Sequence, residues 1–353
     1  MPRARVPVEC ELLSRSDIQA PVGLFLVDVW KRHRLECNLY RERIQWNANH
    51  FQLAHARTAI VTRFLCAACG TQFAERTGAA DLPPTTCPIC TDERQYVPGG
   101  RQQWTTLDAL AREHRNSFQR IEPGLYGVGT TPAFAIDQRA LLVNAAGSAD
   151  SSGPFVLWDC IALLDDATVD IIRALGGLAA IAISHPHYYT TMVEWARAFD
   201  CPVLLHADDR AWVMRPDPAI RFWSGEEHAL DDVGAKGLTL IRCGGHFAGG
   251  TVLHWSAGAA GQGALLTGDV LQVSADLRSV SVMRSFPNYI PLGETAVRRA
   301  GAAVAPYAFD RLYGAWWNRQ IERDARAAVA RSIERIVAHL NGTTGPDAPL
   351  LEM

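Results

Sequence analysis

The stretch LAAIAI at Leu178–Ile183, followed directly by SHPHYY at Ser184–Tyr189, decides the fold. A short, fully apolar run predicts a strand that is buried on both faces. Side chains at positions i and i+2 of an extended segment point to the same side, so the imidazoles of His185 and His187 can face one metal ion. A single histidine is more often a core or surface group, but two at this spacing favour metal binding.

Two further apolar runs end in residues that can bind a metal. The run Leu238–Ile241 leads into CGGHFAGG at Cys243–Gly250, and the run Ala264–Leu266 leads into TGD at Thr267–Asp269. Glycines allow the backbone to turn tightly and to approach a ligand closely. Open α/β sheets place their binding sites at the carboxyl ends of strands. Three such ends in one chain therefore indicate a metal site at one edge of a sheet.

Between these motifs, short apolar strands alternate with helices, which is typical of an α/β protein. The sequence predicts a strand at Phe155–Trp158. It also predicts a helix at Asp166–Leu175, with Asp166 as its N-cap and Gly176 as its end.

The three motifs, in this order, resemble those of the metallo-β-lactamase superfamily: His-x-His, Gly-Gly-His-Phe-x-Gly and Leu-Leu-Thr-Gly-Asp. FVLWD at Phe155–Asp159 resembles the strand-plus-aspartate motif that precedes them, and the likeness covers roughly residues 120–340. The resemblance implies an α/β (α+β) fold, a four-layer αββα sandwich with the metal site at one edge of its paired sheets. It implies that His185, His187 and His246 hold a zinc ion. Asp269 would reach the same metal and, in dinuclear members, bridge two ions.

The chain departs from the superfamily pattern His-x-His-x-Asp-His at its second half. Tyr189 and Thr190 occupy the positions of the aspartate and the last histidine. A phenol and an aliphatic hydroxyl are poor metal ligands near neutral pH. The final histidine of the pattern also lacks a counterpart, because the segment Leu312–Trp317 carries tryptophan in its place. The sequence therefore predicts a mononuclear site.

A second metal site is indicated by four cysteines, in two CxxC pairs separated by 17 residues: Cys66, Cys69, Cys87 and Cys90. Two thiolates on one tight turn bind one face of a tetrahedral ion, and the second pair completes the shell. A redox CxxC would need a βαβ context that is absent here. A closed Cys₄ site leaves no open position, so it predicts a structural zinc that folds a small module.

These motifs divide the chain into four parts. We expect an extension of unclear structure at 1–62, a zinc ribbon at 63–100, a catalytic domain at 101–342 and a flexible tail at 343–353. No secretory signal is apparent, so a cytoplasmic location is expected. No apolar stretch reaches the roughly 18–20 residues of a membrane span, and no membrane partner is expected.

Composition bears on the partners. The sequence is 48% hydrophobic, which is normal for a globular protein, and its formal net charge is −3. That balance makes nucleic acid an unexpected partner. Residues 1–65 carry ten Lys and Arg against six Asp and Glu, a weak basic bias that is more typical of a solvated face.

Other residues are secondary candidates. His206 follows a strand and could support or replace a ligand, although a structural role is more common. His254 lies within a strand, and Cys243 is interpreted as a small buried hydrophobe. Several aromatic residues could line a substrate pocket, although aromatic side chains are more often core: Tyr188, Tyr189, Trp212, Trp223, Trp316 and Trp317.

The sequence favours a metal-dependent hydrolase that uses one zinc-activated water on a small-molecule ester, thioester or amide. Asp269 and Tyr189 are its predicted catalytic residues, with Tyr189 donating a hydrogen bond to the substrate or to an oxyanion. Three alternatives stay open. The missing half-motif suggests a non-catalytic metal-binding or sensor protein, and the ribbon with its basic N-terminal neighbour suggests a nucleic-acid processing factor. Histidine and carboxylate ligands would also suit iron in an oxidoreductase.

Overall fold

The computed structural model describes residues 62–75, 82–145 and 153–343. The extension predicted at 1–62 lies outside this part except for its last residue, and the tail predicted at 343–353 lies outside it except for its first. Among the helices of the described residues, none is long and apolar enough to cross a membrane.

The cysteine-rich segment is built on strand β1 (Phe64–Cys66) and helix α1 (Pro88–Thr91), each next to one CxxC pair. β1 pairs antiparallel with β2 (Trp104–Thr106), so the small sheet extends beyond residue 100. The four cysteines pack with Ile89 into a buried cluster, against which Trp212 of the following domain lies. The segment is therefore packed onto the rest of the described chain.

The first large sheet has seven strands that neighbour one another in chain order. They are antiparallel up to the fourth strand and parallel from there onward. In order they are β3 (Arg115–Glu122), β4 (Leu125–Thr131), β5 (Ala140–Asn144), β6 (Phe155–Trp158), β7 (Leu178–Ala182), β8 (Val203–His206) and β9 (Ile220–Trp223).

The second large sheet has six strands, antiparallel except for the pair β13 and β18. In spatial order they are β10 (Glu227–Ala229), β11 (Leu238–Arg242), β12 (Thr251–Trp255), β13 (Ala264–Gly268), β18 (Arg311–Gly314) and β19 (Gln320–Ile321). Two short hairpins lie between β13 and β18 in the chain: β14 (Gln272–Val273) with β15 (Val280–Ser281), and β16 (Met283–Ser285) with β17 (Ile290–Pro291).

Helices complete the described part of the chain: α2 (Leu107–Glu113), α3 (Asp166–Leu175), α4 (Met192–Phe199), α5 (Glu294–Val304) and α6 (Ala325–Leu340). Short 3₁₀ turns occur at Pro98–Gly100, Pro186–Tyr188, Ala207–Trp212 and Leu230–Val233, and a further helical turn at Gly258–Gly261.

Packing of alternate strand residues creates four layers. Successive side chains of a strand point to opposite faces, so Trp158 of β6 lies between the sheets with Leu266 of β13. Its neighbour Leu157 faces outward against α3 and α4. The outer face of the second sheet is covered in the same way by α5 and α6. The predicted αββα sandwich is confirmed, and each fully buried Leu or Phe in it contributes about 1.5–3 kcal/mol.

The helix predicted at Asp166–Leu175 has those bounds, but its cap is one residue earlier. Oδ1 of Asp165 accepts a hydrogen bond from the backbone N–H of Thr168 (2.9 Å), and Asp166 is the first residue of the helix. The predicted N-cap was therefore wrong by one position. Gly176 ends the helix with φ +127°, a conformation that favours glycine.

Candidate metal centre

The predicted ligands lie where strands of both sheets end. His185 follows β7, Asp269 follows β13, and His246 lies in the loop between β11 and β12. The backbone N–H of Thr251, the first residue of β12, donates to the carbonyl of Ser184 (2.9 Å). This bond joins the end of the first sheet to the second sheet directly beside His185.

Ligand atoms of the four predicted residues face one another. One ligand atom from each of His185, His187, His246 and Asp269 lies within 4.8 Å of the others. Nε2 of His185 is 3.2 Å from Oδ1 of Asp269, and Nε2 of His246 is 3.2 Å from Nδ1 of His187. A tetrahedral shell with metal–ligand distances of about 2.0–2.1 Å has edges of about 3.3 Å. The spacing therefore fits one tetrahedral ion.

Several of these atoms are buried without a hydrogen-bond partner among the described residues: Nε2 of His185, Nε2 of His187 and Oδ1 of Asp269. A buried polar atom that stays unpaired costs about 1–3 kcal/mol. A cation at the centre would satisfy the unpaired nitrogen of His185 and oxygen of Asp269 together, so the donor set fits a bound metal.

Burial sets the charge of the ligands. It holds the pKa values of His185 and His187 well below their usual range, and the charge of His246 acts in the same direction. Burial also raises the pKa of Asp269 to about 7. The imidazoles are thus kept neutral, which is the form that binds metals, and the buried carboxylate is costly without a nearby cation.

Second partners orient two of the imidazoles. Oγ of Ser184 lies 2.8 Å from Nδ1 of His185, and Nδ1–H of His246 donates to the carbonyl of Met283 (3.1 Å). Both bonds leave Nε2 facing the centre, as partners of metal-bound histidines commonly do. Asp159, the aspartate of the motif before β7, accepts a hydrogen bond from the backbone N–H of Ser184 (2.8 Å). Asp159 therefore holds the backbone of Ser184, the residue next to the ligand His185.

The tyrosine beside the centre is Tyr188. Its ring centroid lies 4.5 Å from that of His185, because residues three apart in a 3₁₀ turn eclipse one another. Its hydroxyl is buried and has no hydrogen-bond partner with good geometry among the described residues. Burial raises the pKa of Asp269, and the nearby phenol of Tyr188 acts in the opposite direction. The two groups therefore lie side by side.

Tyr189 points elsewhere. Both tyrosines belong to the outer core of the first sheet, but Tyr189 lines a small cavity of about 10 Å³ with Thr71 and Gln72 of the cysteine-rich segment. The catalytic role assigned to Tyr189 stays a prediction, but the ring that touches a ligand histidine is that of Tyr188. Thr190 accepts a backbone hydrogen bond from Gln72 through its carbonyl (3.0 Å).

Tryptophans fill the place of the missing final histidine. Nε1 of Trp316 donates to the carbonyl of Ile136 (3.2 Å), and Trp317 packs over Gly127 and Gly129 of β4. In the described ranges, His, Cys, Asp and Glu side chains that could hold a metal gather in two clusters only, and a second cluster at the histidine centre is not among them. The number of metal ions at the histidine centre stays a prediction.

The remaining secondary candidates have structural surroundings. Nε2 of His206 lies 3.1 Å from the carbonyl of Gly225, and its Nδ1 accepts from the backbone of Asp208 (3.1 Å). Nε2–H of His254 donates to the carbonyl of Ala308 (2.8 Å). Cys243 is fully buried in the core beneath the second sheet, as expected.

The four cysteines form the second cluster. Sγ of Cys66 lies 3.6 Å from Sγ of Cys90, and Sγ of Cys69 lies 3.7 Å from Sγ of Cys87. A tetrahedral zinc with Zn–S bonds of about 2.3 Å has edges of about 3.8 Å, whereas a disulfide is about 2.05 Å long. The sulfurs are thus spaced for a Cys₄ metal site.

Sequence patterns missed two residues that contact the loop carrying His246. Arg94 follows the second CxxC pair, yet its guanidinium carbon lies 3.9 Å from the ring centroid of Phe247, the residue after His246. Asp209 is buried and accepts a hydrogen bond from the backbone N–H of Gly249 in the same loop (2.9 Å). These contacts join residues far apart in the chain, and no local motif marks them.

The chain has a metallo-β-lactamase fold with an N-terminal Cys₄ cluster. Its two sheets pack face to face with helices outside, and the histidine and aspartate motifs lie at their shared edge. Solved structures with weak similarity include the DIM-1 metallo-β-lactamase, at 13% identity and a TM-score of 0.46 over 65% of this chain and 99% of that one. Another is the mono-zinc form of FIM-1 from Pseudomonas aeruginosa, at 15% identity and a TM-score of 0.45 over 63% and 96%.

No model of a known protein family matches the chain. The chain is 45% identical over 280 residues to the uncharacterized protein YmaE of Bacillus subtilis (strain 168), an alignment that spans 79% of this chain and 97% of the relative. It belongs to the same family as YmaE.

Proposed function

We propose that the chain is a metal-dependent hydrolase that binds one zinc ion at the histidine centre and acts on a small-molecule ester, thioester or amide. The observation that carries the proposal is the convergence of four ligand atoms within 4.8 Å. Two unpaired buried atoms among them, Nε2 of His185 and Oδ1 of Asp269, support it further. A zinc ion held by these four side chains would supply Lewis acidity to a substrate carbonyl oxygen or to water, provided that it accepts that oxygen in addition to them.

The residues of the chain have distinct tasks in this proposal. His185, His187 and His246 bind the ion as neutral imidazoles, and Asp269 supplies the negative charge. Ser184 and the carbonyl of Met283 hold two of the rings in the required orientation. Phe247 packs edge-on against His187, with ring centroids 4.9 Å apart, and excludes bulk water from that side.

Tyr188 is the proposed hydrogen-bond donor of the site. Its phenol faces the carboxylate of Asp269, and burial together with that charge raises its pKa well above the usual range. The phenol therefore keeps its proton. In this position it can donate a hydrogen bond to Asp269 and steady the carboxylate in the absence of a second metal ion.

A metal sensor is the second candidate, and burial favours it. Of the ligand side chains, His185 is 1% exposed, His187 and His246 are 2% exposed, and Asp269 is 6% exposed. A substrate must reach a centre that is nearly closed, whereas a sensor needs only the ion.

Turnover by zinc-loaded protein distinguishes the two candidates. Purified full-length chain is assayed against a nitrophenyl ester, an acyl thioester and a lactam, and again after loading with iron in place of zinc. The hydrolase proposal predicts turnover of at least one substrate by the zinc form and its loss in Asp269→Asn, while Asp232→Asn, at an exposed residue outside the centre, keeps it. If the zinc form binds metal at the histidine centre but hydrolyses none of the three substrates, the metal sensor is the remaining candidate.

A further inference from the structure

The cysteine-rich segment touches the histidine centre through Arg94, four residues after Cys90. The Arg94 side chain is buried, and its guanidinium carbon lies 3.9 Å from the ring centroid of Phe247 and 4.8 Å from that of Trp212. A cation held over aromatic faces away from water is attracted by both rings. Arg94 thus helps to fix the position of Phe247.

Asp92 orients this guanidinium. Nε of Arg94 donates to Oδ1 of Asp92 (2.6 Å), and Nη2 donates to Oδ2 (2.9 Å). A two-pronged bond of this kind fixes the plane of the guanidinium as well as its position. Asp92 lies two residues after Cys90, so the orientation of Arg94 depends on the fold of the second CxxC turn.

Phe247 transmits the contact to all three histidines. Its ring centroid lies 5.5 Å from that of His185, 4.9 Å from that of His187 and 5.2 Å from that of His246. Nη1 of Arg94 also lies 3.5 Å from the carbonyl of His246 itself. Movement of Arg94 would therefore disturb the ring that packs the ligands together and the backbone of one ligand.

A second path joins the same two regions through strand β16. Met283 accepts the Nδ1–H bond that orients His246, and two residues later Oγ of Ser285 donates to the carbonyl of Arg94 (3.2 Å). Nδ2 of Asn288 donates to the carbonyls of Glu93 (2.8 Å) and Gln95 (3.0 Å). The strand that orients His246 is thus held by residues 93–95.

We propose that Arg94 is a positioning residue through which the Cys₄ segment holds Phe247 and His246 in place. Occupancy of the Cys₄ site then sets the metal affinity of the histidine centre. The reason is that residues 87–95 take up a fixed shape only when the thiolates share an ion. The inference rests on the metal binding proposed above and is independent of hydrolysis.

The test compares Arg94→Met with Arg215→Met in the full-length protein. Arg215 is a matched control, because it is also buried and also braces the cysteine-rich segment, through Gln72 and Glu194. It is not among the residues that contact Phe247 or His246 in the described structure. The readouts are zinc per chain by elemental analysis and zinc affinity of the histidine centre by chelator competition.

We expect Arg94→Met to keep its Cys₄ metal and to lose affinity at the histidine centre by about 10- to 100-fold, as supporting residues of metal ligands commonly do. Arg215→Met should keep wild-type affinity. Cobalt substitution checks the fold of the variant, since thiolate-to-cobalt absorption reports the Cys₄ site separately. Two metals in the wild type with unchanged affinity in Arg94→Met would overturn the inference alone. A wild type that binds metal only at the cysteines would overturn the proposed function as well.

Discussion

Oγ of Ser184 lies 2.8 Å from Nδ1 of its neighbour His185, in a part of the centre where both side chains are buried. An Nδ1–H of His185 that donates to this hydroxyl leaves Nε2 free to bind a metal. A serine in this place acts on the metal without touching it.

Ser184→Ala should therefore lower the zinc affinity of the histidine centre by about 10- to 100-fold, the usual effect of removing such a support. The backbone bond from Ser184 to Asp159 is kept in the variant. Chelator competition measures the affinity, and Ser256→Ala, at an exposed hydroxyl bonded to Gly237, is the control. Equal affinities in Ser184→Ala and wild type would show that the serine does not orient His185.

Tyr188→Phe tests whether the hydroxyl of Tyr188 supports the site, because the substitution keeps the ring and removes only the hydroxyl. Loss of a hydrogen bond to a charged group costs about 1.5–3 kcal/mol, so kcat/KM should fall by about 10- to 100-fold. The free energy of unfolding of the metal-free protein should hardly change, because the hydroxyl has no well-formed hydrogen bond among the described residues.

The same substitution at Tyr189 tests the sequence-based assignment. Tyr189→Phe should keep wild-type kcat/KM, since Tyr189 lines the cavity beside Thr71 and Gln72, whereas the ring that lies against His185 is that of Tyr188. A loss of activity at Tyr189 with none at Tyr188 would restore the assignment made from the motif.

Cys69→Ser should remove the zinc of the cysteine cluster. Serine is a weaker ligand than a thiolate for a soft site, and the folding of such modules depends on their metal. Zinc content and thermal unfolding of the full-length chain measure the effect, and both should fall. Cys201→Ser is the matched control, because Cys201 is buried but lies outside the cluster. A variant with full zinc content would contradict the Cys₄ assignment.

His254 predicts a pH dependence of stability. Burial holds its pKa below the usual value of 6.5, so below about pH 6.5 the unfolded chain binds a proton that the folded chain resists. This residue therefore lowers stability as the pH falls through 6.5. His254→Gln keeps a donor for the carbonyl of Ala308 and cannot titrate.

Urea unfolding of wild type and His254→Gln measures this contribution as the pH is lowered from neutral to about 5. As the pH falls, the free energy of unfolding should decrease more in the wild type than in His254→Gln. Parallel curves would mean that His254 is protonated in the folded state as readily as in the unfolded one.

The resemblance of the motifs to a known superfamily predicted the four layers and the ligand set, whereas local patterns predicted the strands that lead to the ligands. A fully apolar run such as Leu178–Ile183 favours a strand buried on both faces, and parallel strands end at one edge of a sheet. Which tyrosine lies beside the metal centre depended on the local backbone conformation, which the motif did not reveal. His185 is extended, but the chain turns into a 3₁₀ conformation at Pro186, so Tyr188 lies against His185 and Tyr189 lies beside Thr71 and Gln72.

The role of Arg94 was beyond reach of sequence patterns for a different reason. Its contact with His246 joins residues 152 positions apart, and it depends on how the cysteine-rich segment packs on the sandwich. An arginine after a CxxC pair carries no local signal of that packing. The cap at Asp165 shows the smaller, usual error, because two adjacent aspartates offer the same side chain to the first turn of the helix.

Metal content per chain tests the central claim most directly. Elemental analysis compares the wild type with the double variant His185→Ala, His246→Ala, each purified with zinc present. Two zinc ions in the wild type and one in the variant are expected, since the Cys₄ site stays intact when the histidine centre is lost. One zinc ion in both proteins would contradict the account, because only the cysteine cluster would then bind metal.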